Sequence, residues 1–253
     1  PLPTQHTVRV RGASRRDGVL RRAMGIKVIG DAAGDRESWL EARKGYLTAS
    51  SIFTWREVDH PRWWGDKRDG IIAEKFEGVE KTFDESATVS MAHGSFSEQD
   101  IARKFEDGIG YRVETSNEMF VNSKYPGLAA TVDGYLFPED DLGEPETNYC
   151  QDARVFPRLR RRLGGRPKGV LELKRSVSLG WQTDVPIYYV SQVQCQLHLA
   201  GLDWAVICAD TICRQGRRTY WDLRPYLIEK DPTWHEILSQ CSDEFLAVKK
   251  EYS

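Results

Sequence analysis

The stretch Gly169-Val170-Leu171-Glu172-Leu173-Lys174-Arg175 sets leucines and charged residues at alternate positions. Side chains of a strand point to opposite faces in turn. Leu171 and Leu173 are therefore predicted to enter a core while Glu172 and Lys174 share the other face. A second short stretch, Thr131-Val132-Asp133-Gly134-Tyr135, reads as another strand with Thr131, Asp133 and Tyr135 on one side. Further strands are predicted at Gly25–Ile29, Tyr111–Val121, Trp204–Ala209 and Arg218–Leu223.

A helical period marks the rest. Asp35–Lys44 has an acidic start and a basic end, which suits the helix dipole, and Gly45 ends it. Gly70–Glu77 reads as a helix. From Met91 a longer one aligns Glu98, Ile101, Ala102 and Phe105 on one face. A carboxylate in an apolar stripe is costly unless paired or metal-bound; the bland alternative leaves Glu98 half exposed at the end of the stripe. After Pro186, a helix over Ile187–Ala200 turns Val190, Val193, Leu197 and Ala200 inward and carries Tyr189, Gln192 and Gln196 on a second stripe. The last helix takes Asp231 as N-cap and Pro232 at its first position, with Trp234, Leu238, Cys241 and Phe245 facing the core.

Three segments stand outside this pattern. Residues 1–24 hold six arginines and little periodicity, and read as an extension, either packed loosely or touching phosphates as a basic arm. Trp55–Trp64 is an aromatic surface loop around Pro61. Residues 138–149 are acidic, and residues 154–168 carry seven basic residues and no acid. Together, about 138–168 reads as a lengthened hairpin, either a solvated loop or a finger contacting phosphates. The remainder, 25–253, reads as a single domain without internal repeats.

Composition narrows the class. With 40% hydrophobic and 29% charged residues, the chain has the makings of an ordinary globular core. No run approaches the ~18–20 apolar residues of a membrane span, and the polar, Arg-rich start lacks an apolar stretch of signal length. The five cysteines (150, 195, 208, 213 and 241) are odd in number and contain no Cys-X-X-Cys pair, which argues for reduced thiols and an intracellular setting. The histidines lack metal-ligand spacing. A net charge of −2 means that any nucleic-acid contact needs locally gathered positive charge.

The two strands carry the candidate chemistry. If they pair, Asp133 and Glu172 lie close, with Lys174 beside them. Two nearby carboxylates repel unless a cation lies between them. Mg²⁺ takes one or two carboxylates together with water and phosphate. This points to a metal-dependent site for cutting phosphodiesters. The bland alternative is a half-buried strand with a charged edge.

The order of motifs resembles the lambda-exonuclease or YqaJ-type viral recombinase family, within the PD-(D/E)XK nuclease superfamily, from about Ile26 to Ala209. Trp39…Arg43-X-Gly45-X-X-Thr48-Ala49-Ser50 is similar to its lead-in signature, and the resemblance implies that Arg43 and Ser50 hold a 5′-phosphate. Gly94-X-X-X-Glu98-X-X-X-Ala102 matches a helix whose Glu supports the metal site. Thr131-Val132-Asp133-Gly134 stands where the family has Ser-Pro-Asp-Gly, making Asp133 a metal ligand and Thr131 a phosphate contact. Glu172-Leu173-Lys174 matches Glu-X-Lys, with Glu172 and the Leu173 carbonyl as ligands and Lys174 positioning or deprotonating water. Tyr189-X-X-Gln192-Val193-Gln194 is similar to the family's Tyr-X-X-Gln-Val-Gln helix, implying that Gln192 helps bind phosphate.

The resemblance implies an α/β fold, with a mixed central sheet flanked by helices. It also implies 5′-to-3′ digestion of linear double-stranded DNA to leave 3′ tails for recombination. Two Mg²⁺ ions, with Mn²⁺ a possible substitute, a homotrimeric ring and a single-strand annealing partner come with it. The setting would be a bacterial cytoplasm, or the nucleus if the source is a eukaryote or its virus. The main departure is the 39-residue separation of Asp133 and Glu172, much longer than in the family. Rival readings are a restriction- or repair-type endonuclease on the same core, and a catalytically idle DNA-binding module.

Overall fold

Leu171 and Leu173 do enter a core, at 0% and 3% exposure, from strand β7 (Gly169–Ser176). The computed structural model describes residues 21, 23–56, 67–79, 85–138, 150, 152–176, 184–215 and 218–253. Residues 1–20, most of the Trp55–Trp64 loop and the acidic stretch 139–149 lie outside the described residues.

In chain order the elements are β1 (Ile26–Asp31), α1 (Arg36–Lys44), β2 (Leu47–Thr48), a 3-10 turn (Ala49–Ser51), α2 (Ile52–Arg56), α3 (Arg68–Phe76) and α4 (Glu85–Ile109). Then come β3 (Arg112–Thr115), β4 (Glu118–Asn122), β5 (Leu128–Thr131), β6 (Gly134–Phe137), α5 (Val155–Leu163) and β7. The chain closes with α6 (Ile187–Ala200), β8 (Trp204–Gln215), β9 (Arg218–Glu229) and α7 (Trp234–Glu251). Two sheets form: a four-stranded one in the order β1-β4-β5-β2 and a five-stranded one in the order β3-β6-β7-β8-β9. Both are mixed. β2 runs parallel to β5 and β7 parallel to β8, while the other pairs are antiparallel.

Alternation along β7 and β8 builds two cores on opposite faces of the large sheet. Val170, Ala205, Ile207 and Ala209 join the core shared with the small sheet, α6 and α7. Leu171, Leu173, Trp204, Val206 and Cys208 join the core under α4 and α5. Glu172 and Lys174 therefore face the α6 side.

Several sequence-based boundaries shift. The predicted strand Thr131–Tyr135 is two strands in two sheets, because the chain crosses from the small sheet to the large one at Val132–Asp133. Gly134 permits that crossing: a Cβ there would lie 2.9 Å from the Glu114 carbonyl oxygen. Tyr111–Val121 likewise divides into β3 and β4. The long helix begins at Glu85 rather than Met91. β8 and β9 each extend to 12 residues, because their ladder continues past the apolar run into polar positions. The last helix starts at Trp234. Asp231 caps the turn before it, accepting from the Thr233 N–H at 2.9 Å.

The basic half of the 138–168 segment is neither a loop nor a free finger from Val155 to Leu163. It is helix α5, docked through Phe156, Leu159 and Leu163 at the i, i+3, i+7 spacing of one face. Pro157 falls in the first turn, where the missing N–H costs nothing, and Gly164 closes the helix in the left-handed region at φ +51°. Phe156 packs edge-on to Phe105 of α4 and leaves no room at Gly108, where a Cβ would meet its ring at 2.6 Å. Gly108→Ala gains about 1 kcal/mol of helix propensity, but overpacking costs roughly 1–3 kcal/mol. The expected outcome is net destabilisation, read as a lower midpoint in thermal unfolding. An unchanged midpoint would mean that the Phe156 contact is loose.

Candidate active site

Asp133 stands at the crossing between the two sheets, next to Gly134, which pairs with Leu171. Its Oδ2 accepts the Leu173 N–H at 2.7 Å, which ties the first acid to the strand that carries the second. Glu172 is 1% exposed and receives three donors. Lys174 Nζ and Gln192 Nε2 reach Oε1, the latter at 2.6 Å, and Gln196 Nε2 reaches Oε2 at 2.7 Å. Lys174 keeps 21% of its side chain exposed, and its Nζ lies 5.2 Å from the Tyr189 ring centre.

Electrostatics bring in Glu98. Burial pushes the Asp133 carboxyl up to about 8; the charge of Glu172 adds to this, Lys174 and the Leu173 N–H oppose it, and Glu98 adds a little more. Glu98 itself is raised, chiefly by burial, with Lys174 opposing and Glu172 reinforcing. Burial alone would lower Lys174, but Glu172 and Asp133 outweigh it and hold the ammonium above its ordinary range. In the metal-free fold the Lys174 ammonium is therefore a cationic donor to Glu172.

The donor set fits a hard divalent cation. Asp133, Glu172 and Glu98 feel one another's charge, and one ammonium does not offset all three. Among the described residues no three acidic, histidine or cysteine side chains already form a metal cage. Mg²⁺ does not need one, because it binds through one or two carboxylates and retains water. Asp133 and Glu172 could hold it, within electrostatic reach of Glu98.

The other sequence-predicted residues are placed as follows. Arg43 lies in the last turn of α1 with its guanidinium 5.4 Å from the Trp39 ring centre, and burial holds its pKa below the ordinary value. Ser50 is exposed on the 3-10 turn, which packs against α6 and β5, and its hydroxyl lies 3.3 Å from that of Thr48. Thr131 ends β5, and its carbonyl accepts from Gln196 at 2.8 Å. Gln192 points at Glu172. Among the described residues no hydrogen bond joins Arg43 or Ser50 to the acids.

Two further residues were not among the predicted site residues. Gln196, fully buried, bridges Glu172 and the Thr131 carbonyl; its i+4 relation to Gln192 was the available signal. Lys75 of α3 donates to the Arg43 carbonyl at 3.0 Å, and burial, with Arg43 nearby, lowers its pKa to about 8. Nothing in its sequence context marks it. Gln196→Leu removes both bonds and leaves two buried acceptors short of a donor. Supporting residues of this kind typically contribute 10–100-fold. The variant is expected to fold, to cleave roughly 10–100-fold more slowly, and to need more Mg²⁺ for half-maximal rate. Wild-type metal demand would remove the positioning role.

A family model described as a YqaJ-like viral recombinase domain matches residues 38–203. The chain belongs to that family. Among solved structures, this YqaJ-family chain is similar to an alkaline exonuclease, LHK-Exo, from Laribacter hongkongensis. The two share 17% identity over 85% of this chain and 94% of that one, with a TM-score of 0.54. The same exonuclease in complex with dAMP gives a TM-score of 0.56 at 17% identity, with the same coverage. At this identity the likeness establishes the fold alone, the PD-(D/E)XK nuclease core. A comparison with curated proteins found no match.

A cavity of about 950 Å³ lies elsewhere and contains none of these residues. It is lined by Tyr125, whose hydroxyl is 3.2 Å from His198 Nδ1 and 2.8 Å from His235 Nδ1. The two histidines, unremarkable by spacing, thus meet on one phenol.

Proposed function

We propose that the protein is a metal-dependent exonuclease that digests linear double-stranded DNA from its 5′ ends and leaves 3′ single-stranded tails for recombination. Family membership and the exonuclease fold support the general activity. The observation that carries the chemistry is the convergence of Asp133 and Glu172, joined through the Leu173 N–H, with Lys174 on Glu172. Mg²⁺, as two ions or replaced by Mn²⁺, supplies Lewis acidity that lowers the pKa of bound water and offsets charge on the phosphate.

The chain's own residues set the rest of the step. Asp133 and Glu172 provide the anionic oxygens that fix the cation against β7. Gln192 and Gln196 hold the Glu172 carboxylate in one orientation, and Glu98 adds negative charge at the rim. Lys174, protonated, orients the attacking water and donates to a phosphate oxygen. Arg43, Ser50, Thr131 and Gln192 are assigned to the terminal 5′-phosphate, with Lys75 as a further nearby cation. A homotrimeric ring and a single-strand annealing partner complete the proposal. Buried, unpaired Cys150, Cys195, Cys208 and Cys241 suit a reducing, intracellular setting.

The test uses purified protein, Mg²⁺ and three substrates: linear duplex with 5′-phosphate, the same duplex with 5′-hydroxyl, and a covalently closed circle. Degradation of the linear forms, fastest with phosphate, and an intact circle are expected. A nicked or linearised circle would replace this reading with an endonuclease. Light scattering should return the mass of three chains.

A further inference from the structure

Helix α5 presents two different faces. Phe156, Leu159 and Leu163 fix it to the core, while Arg158, Arg161 and Arg162 are exposed. It holds no acid of its own. Arg158 shares Asp152 with Arg154, at 3.7 and 3.1 Å. Among the described residues, neither Arg161 nor Arg162 makes a hydrogen bond or ion pair. Arginines in a last turn also suit the helix dipole, so charge alone does not make a site. A groove supplies the second observation.

The groove, about 490 Å³, runs between α5 and the entrance to α6 along the edge strand β9. Arg158 and Arg162 line its α5 side one helical turn apart, about 6 Å along the axis. Leu159, Val190 and Tyr226 give it an apolar lining, and Asp184 is the acid that enters it. Val190 follows Tyr189, whose ring lies beside Lys174 Nζ. Tyr226 pairs with Ile207, which pairs with Glu172, so the groove lies two strands across the sheet from the candidate active site. It is too small for a duplex some 20 Å across. Cations along an apolar, aromatic-containing groove match what single-stranded nucleic acid requires: charge for the phosphates and apolar surface for the bases.

We propose that this groove binds single-stranded DNA, the strand left when its complement is digested. The inference rests on the exonuclease reading for the source of that strand. Arg158 and Arg162 contact its phosphates, and the β9 floor packs against its bases. The docked helix keeps the arginines in place without an ordering cost at each step of the enzyme along DNA.

The test is fluorescence anisotropy with a labelled single-stranded oligonucleotide and a blunt duplex, in Ca²⁺, over a salt series. It compares wild type, Arg158→Ala/Arg162→Ala and Arg158→Lys/Arg162→Lys. The alanine pair is expected to weaken single-strand binding and to flatten the log–log salt slope by about 1.4, the value for two lost contacts. The lysine pair should recover most of that slope. Wild-type affinity and slope in the alanine pair, or a loss confined to duplex, would overturn the proposal. Cleavage of linear duplex in Mg²⁺, scored separately, tests the exonuclease reading. Cleavage with an unchanged slope removes the groove alone, and a flattened slope without wild-type cleavage removes the exonuclease alone.

Discussion

Lys174→Ala is expected to lose cleavage by roughly 10²–10³-fold, the range for removing a donor aimed at the reacting group. Its binding to linear duplex in Ca²⁺ should change only slightly. The reason is local. Lys174 is the ammonium hydrogen-bonded to Glu172, and among the described residues no other cationic side chain is hydrogen-bonded to Asp133 or Glu172. The substitution also leaves Glu172 buried without its charge partner. Breaking a buried pair typically costs about 3–5 kcal/mol unless the survivor takes up a proton or gains another cation. The metal-free variant should therefore melt below wild type, and Mg²⁺ should close more of the gap than it does for wild type. Gel assays of cleavage and anisotropy for binding give the first readout, and thermal unfolding with and without EDTA the second. Retention of a tenth of wild-type cleavage would remove Lys174 from the mechanism.

How far the sequence foretold this arrangement depends on the range of the interactions involved. β7 was legible because its alternation is local and strict. The same two-residue period that buries Leu171 and Leu173 aims Glu172 and Lys174 at α6. The break at Val132–Asp133 was not legible, because nothing within five residues says that the neighbours of Thr131 and Gly134 belong to different sheets. Helix α5 was concealed by its arginines. Phe156, Leu159 and Leu163 already had helical spacing, yet the charge between them suggested solvent on all sides.

The site shows the same division. Asp133, Glu172 and Lys174 were readable from motif and strand period. Gln196 was visible only as one member of a glutamine stripe. Its role depends on α6 crossing beneath both Thr131 and Glu172, a long-range fact. Lys75 was invisible for the same reason: its partner, the Arg43 carbonyl, is 32 residues away in sequence. Local period thus identified the charged groups of the candidate site, and tertiary packing identified those that hold them.

The Asp133 carboxyl ties the stability of the fold to pH. Its pKa is raised to about 8 in the metal-free fold, first by burial and then by Glu172. An unfolded Asp titrates near 3.9. Between those values the folded chain binds more protons than the unfolded one, so stability must fall as pH rises, by at most ~1.4 kcal/mol per unit for one proton. The contribution is complete below pH ~4 and lost once pH passes about 8. A metal ion held by this carboxylate would reverse the trend, because binding requires the ionised form and expels the proton. Without metal, the protein is expected to melt higher at pH 6 than at pH 9, and Mg²⁺ should raise the midpoint more at pH 9. Asp133→Asn separates the two effects. The amide cannot titrate, yet its oxygen can still accept the Leu173 N–H. The variant should match or exceed wild-type stability at pH 9 without metal, flatten the pH dependence except for the share carried by Glu98, and lose both the Mg²⁺ shift and cleavage. A clearly lower midpoint for Asp133→Asn at pH 9 would show that the buried charge is better compensated than this geometry allows.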